Sequence, residues 1–97
     1  MATYIILGQL TEQGMKNVKK TTERAKAIKE LAKKSAVTVK EIYWTLGHHD
    51  VVTIVEAPDD ESATAFFLSA AGQGNLRTQS FRAFSAAEMD RILSKTT

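Results

Sequence analysis

The stretch VTVKEIYWTLGHHDVVTIVEAPDD, Val37 to Asp60, decides the fold. Val37 to Leu46 is dense in β-branched and aromatic residues and predicts a strand. Its apolar positions change phase, from Val37 and Val39 to Ile42, Trp44 and Leu46. A β-bulge near Lys40–Glu41 reconciles the two halves. Gly47 to Asp50 is a tight connection, and Val51 to Glu56 is the next strand. Pro58 and Asp59 stop that strand and open a helix. Asp59, Asp60 and Glu61 put negative charge where the helix dipole favours it.

Outward from this hairpin the chain repeats the pattern. Thr3 to Leu10 reads as a strand, and TEQGMKN after it as a short turn interrupted by Gly14. Ala25, Ile28, Leu31 and Ala32 recur at helical spacing and predict a helix from Thr22 to Ser35, with Thr21 as N-cap. After Pro58 a helix runs to Ala71, with Ala63, Phe66, Phe67 and Ala70 inward, and Gly72 and Gly74 end it through positive φ. Asn75 to Phe84 is a fourth strand. Ser85 and Glu88 form a capping box that opens a last helix through Leu93.

Strand, helix, strand, strand, helix, strand, helix is the split βαβ order: a ferredoxin-like α+β fold with an antiparallel sheet backed by helices on one face. Both phases of three strands are apolar: Tyr4 and Ile6 against Ile5 and Leu7, Tyr43 against Ile42, Trp44 and Leu46, Val51 and Val55 against Val52 and Ile54. The second face therefore needs a cover, and a homodimer or higher homo-oligomer packed sheet to sheet would supply it.

The 97 residues, 43% hydrophobic and 25% charged, suit one folded domain spanning residues 1–97 and exclude disordered and fibrous classes. No apolar run approaches the ~20 residues of a spanning helix, so no membrane association is expected. The first residues lack the features of a signal peptide, and there is no cysteine for disulfides or thiolate chemistry. The cytoplasm is the expected compartment. Net charge is +2, with nine basic and five acidic residues up to Asp50 and four and six after it. Lys16, Lys19, Lys20, Arg24, Lys26, Lys29, Lys33 and Lys34 carry most of the excess. Without stacking aromatics beside them, the solvated face of an amphipathic helix accounts for them and nucleic-acid binding is not expected.

Tyr43 to Asp60 and GNLRTQSFRAFS, Gly74 to Ser85, resemble the GYD-domain family of small bacterial proteins, as do the opening strand and Leu10 to Val18. The family's motif glycine matches Gly47 and its aspartate Asp50. His49 stands where the family has tyrosine, and His48 where a basic residue often precedes it. The resemblance implies a ferredoxin-like fold of the dimeric α+β barrel kind and, because the family is largely uncharacterised, little about activity.

His48, His49 and Asp50 are the only cluster of potential ligands. Strand alternation would let His48 and Asp50 converge while His49 faces away. Two ligands do not make a metal site, so no metal is assigned. Turn chemistry accounts for Gly47 and for Asp50 as a cap on the turn's amides. Tyr4, Tyr43, Trp44, Arg77 and Arg82 are the other residues able to line a pocket. Trp44 is expected in the core with Ile42 and Leu46, and Tyr43 on the opposite phase where a dimer cleft would form. Arg77 and Arg82, five apart, face opposite sides of a regular strand. The candidate ligand-binding set is thus Tyr43, His48, His49, Asp50 and Arg77. Gly72-Gln73-Gly74 lacks the strand-to-helix setting of a dinucleotide loop. The residues name no cofactor. They favour a non-catalytic oligomer with a small-molecule ligand between sheet and helices. The alternative is a small cofactor-independent oxygenase- or isomerase-like enzyme with His48 or His49 as base.

Overall fold

A computed structural model describes residues 1–97. Strand β1 spans Ala2–Leu10, helix α1 Glu12–Lys16, and a single 3-10 turn Val18–Lys20 leads into α2, Thr21–Lys34. Then follow β2 (Thr38–Trp44), β3 (Val51–Ala57), α3 (Asp60–Ala71), β4 (Leu76–Ala83) and α4 (Ala86–Leu93). All pairings are antiparallel in the order β2-β3-β1-β4, which is the ferredoxin-like arrangement, and α2 and α3 cover one face.

The bulge falls where the phase change required it. Val39 pairs with Val55 and Glu41 with Ile54, so Lys40 is the extra residue and Val39 and Ile42 face the same side. That side carries Tyr4, Ile6 and Val55. They close on Ala32, Val37, Ala63 and Phe66 to form the core, with Phe67 and Ala70 packed at its edge. The other side carries Ile5, Leu7, Val52 and Ile54, with Tyr43 and Phe81 about half exposed, and nothing in the chain covers it. The shortest principal extent is 17 Å, the thickness of one sheet and one helix layer.

Four local expectations are corrected. TEQGMKN holds a helix, not a turn: the Thr11 hydroxyl accepts the Gly14 amide hydrogen at 3.1 Å, and α1 follows. Gly14 is there for close approach, since a Cβ would overlap the Asn75 carbonyl oxygen. Thr21 does not cap α2 but is its first residue, and its hydroxyl accepts the Trp44 indole N–H at 3.0 Å. Gly72 keeps a helical φ of −61°, and only Gly74, at +81°, turns left-handed. Leu46 is fully exposed rather than in the core, because β2 has ended and the chain bends there.

Two ends are built by side chains the sequence marks. Asp59 accepts the Ser62 amide at 2.7 Å and caps α3, and that bond holds its carboxyl below the usual range. Ser85 and Glu88 exchange bonds of 3.1 and 3.0 Å in the expected capping box of α4. The α2 end is less conventional. Val37 N–H donates to Ala32 and Ala36 N–H to Lys33, a Schellman closure that puts Ala36 at φ +59°.

Candidate functional site

Cross-strand partners in an antiparallel pair project to the same face. Gln9 opposes Arg77 and Leu7 opposes Gln79, so these four meet on the uncovered side of the sheet, at the end where β2 turns into β3. Over that end lies the Thr45–Asp50 connection. Gly47, at φ +109°, makes the bend that ordinary residues adopt rarely. The Gln9 side-chain amide donates to the His48 carbonyl oxygen at 2.8 Å and lies 3.5 Å from His48 Nε2. The Thr45 hydroxyl donates to the His49 carbonyl oxygen at 2.6 Å.

His48 and His49 consequently meet ring edge to ring face, with centroids 4.9 Å apart at 89°. With Arg77, Leu7, Gln9 and Gln79 they border a depression of about 120 Å³. The expected convergence of His48 with Asp50 is not formed: the segment bends, so strand alternation does not apply, and the two imidazoles come together instead. Asp50 caps a different amide from the one expected. Its Oδ2 accepts the Leu10 N–H at 2.9 Å, joining the end of β1 to the hairpin. Arg77 and Gln9 also border a second depression, of about 330 Å³, which Asp50 and Glu12 line and the histidines do not. No group of three or more His, Cys, Asp or Glu residues is arranged to hold a metal ion.

Tyr43 stands on the same uncovered face but away from the histidines, opposite Val52. Its hydroxyl donates to Glu41 at 3.2 Å, and this bond, with the charge of Glu41, raises the phenol's pKa. Arg82 lies on the helix side, as the spacing from Arg77 requires. It pairs with Glu88 at 3.3 Å, bonds the Thr3 carbonyl oxygen and sits over the Phe84 ring at 4.5 Å. Glu88 is held below the usual carboxylate range by the Ser85 amide and then by Arg82. Tyr4 is buried between sheet and α3. It donates to Asp60 and meets the Phe67 ring at 5.8 Å, and burial followed by that bond raises its pKa.

Trp44 faces the helices, as expected, yet remains 45% exposed because it borders a cavity beneath α2 rather than filling the core. Arg24 borders the same cavity, whereas the sequence reading counts it only among the solvated cations. Its neighbours in the lysine-rich run point outward, but Arg24 precedes Ala25 and Ile28 on the inner stripe of α2. That position was the available signal.

A family model described as GYD domain matches residues 4–93. The chain is 33% identical over 90 residues to the glutamine synthetase and cystathionine beta-lyase binding protein of Thermus thermophilus, covering 92% of this chain and 95% of that one. The crystal structure of TTHA0845 from Thermus thermophilus superposes with a TM-score of 0.58 at 23% identity, covering 89% of this chain and 96% of that one. FFRP-DM1 superposes at 0.59 with 22% identity, over 87% of this chain and all of that one. MtbAldR superposes at 0.68 with 13% identity over 87% of this chain, which spans only about half (53%) of that longer chain. These structural likenesses carry the fold: ferredoxin-like, of the dimeric α+β barrel kind.

Proposed function

Because this chain belongs to the GYD-domain family, we propose that it is a non-catalytic, self-associating α+β-barrel protein that works by binding. Two copies pack through the uncovered sheet faces, as one domain per chain. The uncovered face carries this reading. Ile5, Leu7, Val52 and Ile54 form its centre, with Tyr43 and Phe81 beside them. The isolated chain exposes 6607 Å². A monomer of its 10.7 kDa mass ordinarily exposes about 5,500 Å². The excess, about 1,100 Å², is of the order that one partner buries in a standard interface. The relative's name as a binding protein for two enzymes supports extending the reading to enzyme partners. The cysteine-free composition supports a cytoplasmic setting, and no helix is long and apolar enough to cross a membrane.

Light scattering on the purified chain tests the assembly. A mass at least twice 10.7 kDa is expected, and Ile54→Lys should reduce it to the monomer while the far-ultraviolet dichroism is retained. A wild-type monomer at micromolar concentration overturns the proposal. Co-elution with purified glutamine synthetase or cystathionine beta-lyase tests the enzyme-partner extension.

A second reading has one observation behind it: His48, His49 and Arg77 share a depression. An imidazole base beside a guanidinium is an arrangement for proton abstraction from an anionic substrate. On this reading His48→Ala or His49→Ala abolishes turnover; full activity in both variants would exclude a histidine base.

A further inference from the structure

The cavity beneath α2 is separate from the histidine depression and shares no residue with it. It holds about 60 Å³ between the helix-facing side of the sheet and the inner stripe of α2, and is open at one side. Ile28, Ile42, Val51, Leu76 and the Trp44 indole give it apolar walls. About 10–15 Å³ of such space admits one water molecule. The cavity therefore takes a compact body of about four heavy atoms, with a polar head left at the opening.

The polar equipment is at the rim. Arg24 is half-buried, and only one contact satisfies its guanidinium, a 3.3 Å bond to the Gly14 carbonyl oxygen. No carboxylate pairs with it, although four other ion pairs form in the chain. Its remaining N–H groups stay open to solvent, since no buried side-chain nitrogen or oxygen lacks a partner, and an incoming anion can reach them. The Trp44 N–H is spent on Thr21, so the indole offers the cavity surface rather than a donor. Asn75, also at the rim, uses its side-chain oxygen to accept from Gln13 at 3.0 Å, which leaves its amide hydrogens free. Thr53 and Gln73 also line the cavity and can accept as well as donate, but neither is charged, so the unpaired Arg24 beside apolar walls selects an anion with an apolar body. One planar guanidinium fork matches a carboxylate, and a single positive charge does not balance a phosphate dianion.

We infer that this cavity is a binding site for a small branched aliphatic monocarboxylate, its carboxylate on Arg24 and its body against Trp44 and Ile42. The inference rests on the reading of the protein as one that works by binding, and assigns a ligand class to it.

Trp44 is the only tryptophan, so its emission reports on the site directly. Isovalerate should produce a saturable change in that emission. Isovaleramide, the same shape without the charge, should bind at least about ten-fold more weakly, and Arg24→Gln should weaken isovalerate by a similar factor. Ala25→Leu, which fills the cavity while leaving Arg24 in place, should abolish the response and serves if the arginine variant is poorly folded. No response to isovalerate, an equal response to the amide, or unchanged binding in Ala25→Leu overturns the site. Light scattering on the same samples separates the two claims. An assembled protein that ignores isovalerate loses only this site, whereas a monomer that binds it keeps the site and loses the assembly.

Discussion

Asp50 and Leu10, forty residues apart in sequence, are joined by a 2.9 Å bond in which the Leu10 amide donates to Asp50 Oδ2. Asp50 N–H in turn donates to the Gly8 carbonyl oxygen at 2.8 Å. The motif aspartate is therefore a clasp between the end of β1 and the β2–β3 connection, which fixes where the two histidines stand.

Replacing Asp50 with alanine should destabilise the chain by about 1–3 kcal/mol, because a partly buried amide loses its acceptor. Asp50→Asn keeps an acceptor and should recover most of that loss. Urea unfolding of both variants checks it. Equal destabilisation would mean that the charge of Asp50, rather than the clasp, is what matters.

Gly14→Ala should cost more than the roughly 1 kcal/mol gain in helix propensity could offset. The new methyl would collide with the Asn75 carbonyl oxygen and push α1 off the start of β4. A lowered thermal midpoint is the expected result. A raised one would show that α1 is not held against Asn75.

Ala36 sits at φ +59° in the Schellman closure of α2. Ala36→Gly removes a left-handed penalty of about 1 kcal/mol, partly offset by the greater freedom of glycine when unfolded. A net gain of about 0.5 kcal/mol is expected in denaturant titration.

Tyr4 should make stability fall in alkali. Burial and its bond to Asp60 hold the folded phenol's pKa above the unfolded value. The folded state thus resists ionisation: its stability is intact below the unfolded phenol's pKa and is lost as pH rises through the folded one. Tyr4→Phe should flatten that alkaline limb when thermal midpoints are compared from neutral pH upward.

The sequence by itself determined the order of the four strands and three longer helices, the bulge at Lys40, the acidic start of α3, the α4 capping box and the two-faced apolar sheet. Each of these follows from neighbours in the chain: period, phase, or a capping side chain three residues from its amide. Tertiary structure alone decided the rest. Gly14 looks like a breaker until β4 arrives beside it, and Thr21 looks like a cap until Trp44 takes its hydroxyl. His48 and Asp50 share a face only if the segment is a strand, and it bends. Arg24 is one cation among lysines until the turn of α2 brings it over an apolar cavity without a carboxylate. The helical stripe turns Arg24 inward and Gly47 permits the bend, but what each of these groups meets lies far away in sequence and close in space, and such contacts leave no local period to read.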